Sequence, residues 1–285
     1  VIFTLDGAGA KDLDDAVSLR RKKNGNYLLG VHIADVSTYV RPRGALDACS
    51  LSRGTSVYFT DKVVPMLPEA LSNGACSLNA GEDKYALSCL MELTPDGSLA
   101  HTSIERSIIR SCVRGVYSEV NDLFEKGKNS AFAEKYSRAL PTLRLMHRLY
   151  LTLAEKSRAR GALDLEQTEA EILLDEGGNP VEIVPRVRGD AEKLIEQFML
   201  AANEAVATLL SEKHLPCVFR VHDAPDPERL ADFIRFAHNL DLDVTPLAGR
   251  DPDGRAFSVL LRDAHERGIG DAVSYTLLRT MAKAH

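Results

Sequence analysis

A chain of 285 residues with 45% hydrophobic and 27% charged side chains has the composition of a globular protein able to bury a sizeable core. No stretch approaches the roughly 18 apolar residues that a membrane-spanning helix needs, and a formal net charge of −6 excludes binding of polyanions through a uniformly basic surface. The five cysteines, Cys49, Cys76, Cys89, Cys112 and Cys217, are widely spaced and lack a CxxC pair, which points to reduced, buried thiols in a cytoplasm rather than a disulfide framework.

Val1 to Leu5 has neither a basic leader nor a long apolar run, so no export signal is expected and the protein is placed in the cytoplasm. From residue 1 to about 115 the chain reads as β-rich, with β-branched and aromatic runs at Val1 to Leu5, Tyr27 to Ile33 and Tyr85 to Leu93. Asn24-Gly25-Asn26 and Thr94-Pro95-Asp96-Gly97 have the composition of hairpin turns. Beyond Tyr117 the period changes: Leu140, Leu143, Met146, Leu149 and Leu153 recur at helical spacing. A further hairpin is expected from Glu171 to Leu174 and Val181 to Val184 around Glu176-Gly177-Gly178-Asn179. Asp190 fits the N-cap of a helix over Lys193 to Leu210, and Cys217 to Val221 reads as a short buried strand. Asp226-Pro227 opens another helix with proline at its preferred first position, and from Phe257 to His285 helical segments break at Gly268-Ile269-Gly270. Without internal repeats, this order of elements predicts an α+β fold.

The densest chemistry lies directly after the first strand, where Asp6, Asp12, Asp14 and Asp15 place four carboxylates in ten residues. Like charges this close raise one another's pKa unless a cation neutralises them, and hard divalent ions select carboxylate oxygen. Gly7 and Gly9 leave the loop free to fold back, so that Asp6 approaches the other three. A solvated acidic turn with Asp12 or Asp14 capping a local group satisfies the same spacing, so both readings stand on the residues alone. A calcium loop counted from Asp12 fails, because its glycine falls on Val17 and its closing glutamate on Lys23. Nor does a GK[ST] or GxGxxG pattern follow the glycines.

Ordered blocks along the chain carry a resemblance. Phe3-Thr4-Leu5-Asp6, Lys11-Asp12-Leu13-Asp14-Asp15-Ala16-Val17-Ser18 and Gly30-Val31-His32-Ile33-Ala34-Asp35-Val36-Ser37 are followed by Arg53 to Tyr58, Val64 to Pro68, Leu71 to Asn79, Glu196 to Asn203 and Phe219 to Asp223. In this order they resemble the catalytic (RNB) domain of the ribonuclease II/ribonuclease R family. The resemblance implies one large domain over 1–285, a mixed or antiparallel β-sheet core surrounded by helices. Its C-terminal portion would lie past His285, and flanking OB-fold RNA-binding domains would lie outside the chain.

By the same resemblance, Asp6, Asp12, Asp14 and Asp15 bind Mg2+ and drive hydrolysis, with Asp14 the most activity-critical. Tyr58 packs on the base at the 3′ end, and Glu196 touches the terminal ribose. The implied activity is processive 3′-to-5′ degradation of single-stranded RNA to nucleoside 5′-monophosphates by a monomer. Taken as residues, a strand tyrosine ordinarily packs in a core and a helix glutamate ordinarily faces solvent. Arg110, Asn203, Arg220 and His222 make weaker claims, with Arg220 expected to pair with Asp223 or Asp226, and His32 is expected to be a satisfied core histidine. Two departures bear on activity. The family's arginine-bearing Ser-Pro-Ile-Arg-Arg-type block is expected beyond this chain, and Leu165 stands where an aromatic base clamp is usual. The competing readings are a non-catalytic RNA-binding member of the same fold and a metal-dependent nucleotide phosphohydrolase.

Overall fold

The structure, a computed structural model, describes residues 1–163, 165, 169–247 and 254–285. Alternating apolar residues build its first half. In chain order the elements are β1 (Ile2–Asp6), β2 (Asp15–Arg21), β3 (Tyr27–Ala34), α1 (Ala45–Arg53), the short strands β4 (Val57–Tyr58) and β5 (Val63–Val64), then β6 (Asp83–Leu93), β7 (Leu99–Arg110) and β8 (Arg114–Val116). Six of the strands form one sheet in the order β7-β6-β3-β2-β1-β8. All its pairings are antiparallel except β1 with β8, which is parallel. The two expected hairpins are present. Gly25 at φ 88° turns β2 into β3, Gly97 at φ 76° turns β6 into β7, and both angles lie where glycine is favoured.

Helical spacing then takes over in α2 (Tyr117–Lys126) and α3 (Leu140–Ala159), followed by the hairpin β9 (Glu169–Leu174) and β10 (Pro180–Arg186) and by α4 (Asp190–Glu212). The α4 helix lies against β1, β3, β6 and β7, where Leu194 and Phe198 are buried together with Phe3, Leu5, Val17, Leu29, Val31 and Met91. Asp190 is the first residue of this helix rather than its cap, which is Gly189. Other groups close the helix start: in a capping box the Gly189 N–H donates to Glu192 (3.0 Å), and the Ala191 N–H donates to Oδ1 of Asn121 on α2 (2.8 Å). The Asp190 carboxylate is thereby left for His147 of α3, at 2.7 Å.

The described residues separate into two compact units. Val1–Thr152, Ile172–Val184 and Arg188–His214 make the first, and Leu153–Glu171, Pro185–Val187 and Leu215–His285 the second. Within the second unit, α5 (Pro227–Asn239), α6 (Gly254–Glu266) and α7 (Gly270–Thr280) enclose Leu230, Phe233, Leu247, Phe257, Leu260, Val273 and Leu277. Asp226 caps α5 by accepting from the amides of Glu228 and Arg229, and Gly268 at φ 74° separates α6 from α7. Leu165 packs, partly buried, against this helical core.

Cys217 to Val221 is not a buried strand. The segment is exposed coil, with Val218 at 99% exposure, and its one regular feature is a mutual pair of backbone hydrogen bonds between Val221 and His285 (2.9 and 3.0 Å). A run of β-branched residues has strand propensity, but it forms a strand only where a partner edge and a covered face exist. Arg220 makes no ion pair among the described residues. All five cysteines are free, as the spacing implied, yet Cys49 and Cys217 are exposed, and Cys76 and Cys89 are buried. No helix among the described residues is long and apolar enough to cross a membrane.

Candidate active site

Asp6 closes β1 and Asp15 opens β2, and these strands are antiparallel neighbours with Phe3 opposite Val17. The connection, residues 7–14, therefore has to return on itself, which brings the carboxylates at its two ends together. Gly7 and Gly9 are not what turns it. Neither adopts a positive φ, and both face open space. Its course is set by tethers instead. The Ala10 N–H donates to the Gly7 carbonyl (3.2 Å), and the Ala34 N–H donates to the Asp14 carbonyl (2.9 Å). The Ser77 hydroxyl accepts from the Leu13 amide (3.1 Å) and donates to the Lys11 carbonyl (3.0 Å), and the Leu78 N–H reaches the Leu13 carbonyl (2.7 Å). From β8, Nη2 of Arg114 donates to the carbonyls of Ala8 (2.8 Å) and Ala10 (2.7 Å).

The carboxylates held this way strain one another electrostatically. Burial, then the charges of Asp14 and Asp6, push the Asp15 carboxyl up to about 7. Asp14 keeps an exposed surface, yet the protein mass around its carboxyl raises its pKa, Asp12 and Asp6 adding to the rise against a backbone hydrogen bond that lowers it. Neither has a cationic side chain among these influences. Among the described residues Asp15 Oδ2 is buried without a hydrogen-bond partner, a situation that normally costs about 1–3 kcal/mol or more.

A hard divalent cation fits this donor set. It takes carboxylate oxygen, relieves the mutual repulsion and supplies the orphaned Asp15 oxygen with a partner. The fit rests on chemistry rather than on a finished cage. Among the described residues no three acidic, histidine or cysteine side chains converge tightly enough to close a coordination shell.

Tyr58 reaches this loop from the β4–β5 hairpin. Its hydroxyl donates to Asp12 Oδ2 at 3.0 Å, which holds the phenol protonated by raising its pKa. The ring is 65% exposed and stands among exposed Val57, Phe59, Val63 and Val64, so it is a presented aromatic and not the core residue that a lone strand tyrosine usually is. Glu196 stands apart. On α4 it is ion-paired with Arg188, and no contact among the described residues joins it to the loop.

His32 is a core histidine, as expected. It lies between the hydroxyls of Ser18 (2.9 Å) and Ser88 (2.6 Å), and burial lowers its pKa to about 4. Arg110 is held by both oxygens of Asp83, at 2.7 and 2.8 Å. Two residues that shape the site, Ser77 and Arg114, were not singled out from the sequence. Ser77 falls inside a quoted block, but the loop groups that both residues hold are backbone groups, which leave no pattern in a sequence.

Comparison with known proteins places this geometry in context. The RNB domain family matches the chain over residues 1–285. Ribonuclease R 1 of Lactococcus lactis is 42% identical over 284 residues, covering 100% of this chain and 34% of that protein. Ribonuclease R of Thermotoga maritima is 48% identical over 231 residues, covering 81% of this chain and 32% of that protein. Among solved structures, Mycoplasma genitalium RNase R in complex with ribose methylated single-stranded RNA superposes with a TM-score of 0.93 at 29% identity, covering 99% of this chain and 44% of that one. The chain thus spans about a third of the length of these curated relatives.

Proposed function

This chain belongs to the RNB domain family, and on that footing we propose that it is the catalytic part of a hydrolytic 3′-to-5′ exoribonuclease that degrades single-stranded RNA processively to nucleoside 5′-monophosphates. The observation that carries the reading is the four-aspartate loop, whose mutually repelling carboxylates and orphaned Asp15 oxygen call for a divalent cation. Asp6, Asp12, Asp14 and Asp15 would hold Mg2+. When bound, magnesium supplies the Lewis acid that polarises a phosphodiester and eases deprotonation of an attacking water.

The chain's own groups supply the rest. Tyr58, exposed and fixed to Asp12 by its hydroxyl, stacks on the terminal base, a grip indifferent to base identity. Glu196, oriented by Arg188, reads the 2′-hydroxyl of the terminal ribose, the group that separates RNA from DNA. The relatives named ribonuclease R, and the RNA carried by the Mycoplasma protein, support the substrate class. A monomeric catalytic unit in the cytoplasm belongs to the same proposal.

The test is incubation of 5′-labelled single-stranded RNA with this chain and with a version extended to the length of its relatives, with and without Mg2+. Expected is a magnesium-dependent ladder shortening one nucleotide at a time from the 3′ end. Retention of RNA without shortening by either protein would favour a non-catalytic RNA-binding member of the fold, while hydrolysis of mononucleotides in preference to oligomers would favour a nucleotide phosphohydrolase.

A further inference from the structure

Beside the carboxylate loop stands an arginine that forms no salt bridge with Asp12, Asp14 or Asp15 among the described residues. Arg114 stands on β8, paired in parallel with β1 so that Thr4 lies opposite Arg114 and Asp6 opposite Val116. From there one nitrogen, Nη2, gives both of its hydrogens to the loop backbone, at the carbonyls of Ala8 and Ala10. An arginine set among four aspartates ordinarily forms a bidentate pair with one of them. Such a pair would occupy the oxygens a metal needs. Here the guanidinium is committed to carbonyls instead, and it makes no salt bridge among the described residues.

We propose that Arg114 is a positioning residue for the divalent cation. By fixing the carbonyls of Ala8 and Ala10 it sets the first half of the loop, while Ser77 sets the second half at Lys11 and Leu13, so the backbone that carries the carboxylates is held before the ion arrives. Ordering backbone residues costs conformational entropy. A loop already ordered by its neighbours does not draw that from the binding of the ion, so the effect of Arg114 falls on ion affinity. The inference rests on the proposed function, since it concerns the ion that the aspartates would hold.

The experiment is titration of the 285-residue chain with Mn2+ as the probe, read by the electron paramagnetic resonance of the free ion, for wild type, Arg114→Ala and Arg114→Lys. The melting temperature of each ion-free protein is measured alongside. Outer-shell residues of this kind typically change metal affinity by about 10–100-fold. Arg114→Ala is expected to weaken Mn2+ binding by at least about tenfold while the ion-free melting temperature stays close to wild type. Lysine keeps the charge without the planar fork, so Arg114→Lys is expected to fall between the two.

Wild-type Mn2+ affinity in a folded Arg114→Ala protein would overturn the inference and leave the proposed function standing. Wild-type protein that binds no Mn2+ would overturn both. Should the alanine variant not fold, Arg114→Lys decides: weakened binding at an unchanged melting temperature supports the positioning role, and unchanged binding removes it.

Discussion

The hydroxyl of Tyr58 donates a 3.0 Å hydrogen bond to Oδ2 of Asp12, so the exposed ring proposed to hold the substrate base and a carboxylate proposed to hold the ion are fixed to one another. The bond and the ring can be removed separately. Tyr58→Ala removes both, and loss of a stacked base typically weakens binding by about 1–3 kcal/mol, so the alanine variant is expected to grip short RNA less tightly and to stop at longer end products. Tyr58→Phe removes only a hydrogen bond, worth about 0.5–1.5 kcal/mol, and is expected to leave end products unchanged with a smaller loss of affinity. Product length on a sequencing gel and binding by fluorescence anisotropy read the two effects apart. Equal behaviour of the two variants would show that the ring does not stack.

Asp14 differs from its neighbours in keeping an exposed surface while its carboxyl pKa is raised. It is therefore the most open aspartate of the loop to a reacting group, whereas Asp6, Asp12 and Asp15 are half-buried. Asp14→Asn changes charge and leaves size nearly constant. In a protein of full length it is expected to abolish cleavage and to leave RNA binding within about 0.5 kcal/mol of wild type, the range of an ordinary surface substitution. Lost binding with normal turnover of the RNA that does bind would remove Asp14 from its role.

How much of this was visible beforehand depends on which groups make each contact. The hairpins at Gly25 and Gly97 were legible because a positive φ selects glycine, and α3 because Leu143, Met146 and Leu149 repeat on one face. The four aspartates were legible as a set because their charge lies in sequence. The cap of α4 lies one residue before the expected Asp190 because Asn121, 70 positions earlier in the chain, accepts from the Ala191 amide, and no local pattern records that. Cys217 to Val221 read as a strand because propensity ignores whether a partner edge exists. Arg114 was hidden for the same kind of reason. Its two acceptors are carbonyls of alanines more than 100 positions earlier, and any residue offers a carbonyl.

Asp15 and His32 pull the pH dependence of stability in opposite directions. In the ion-free folded chain the Asp15 carboxyl titrates at about 7 against an ordinary value of 3.8. The folded state keeps a proton that the unfolded state releases, so this group makes stability fall as pH rises from 3.8 to about 7. His32 titrates at about 4 against 6.5. The unfolded state then binds a proton that the folded state refuses, and stability falls as pH drops from 6.5 to about 4. Each slope approaches roughly 1.4 kcal/mol per pH unit where its window is fully open, so in wild type they largely offset between pH 4 and 6.5. Asp15→Asn is expected to uncover the histidine slope, giving a protein that loses stability on acidification faster than wild type, and to be more stable than ion-free wild type above about pH 7. Chemical denaturation in EDTA across this range checks both statements. Parallel profiles for the variant and wild type would mean that Asp15 holds no proton there.

Gly115 is expected to be the glycine near the site that tolerates substitution least. A Cβ at this position would stand 2.5 Å from the Thr4 carbonyl oxygen and 2.9 Å from Leu5 Cδ1. The first of these is backbone, which cannot rotate away, so β8 would have to part from β1 where the two are paired at Leu5 and Gly115. Overpacking of this kind typically costs about 1–3 kcal/mol. Because Arg114 is the preceding residue and β1 leads into Asp6, the displacement is carried to the carboxylate loop as well as to the sheet. Gly115→Ala is therefore expected to lower the melting temperature by several degrees and to weaken binding of Mn2+ together. Gly9→Ala is the matched control: its Cβ would meet nothing within 4 Å and its φ is not positive, so a smaller and even favourable change of about 0.4–1 kcal/mol is expected from the stiffer unfolded chain. A Gly9→Ala loss as large as that of Gly115→Ala would show that the loop needs glycine for its freedom after all and is not set by its tethers.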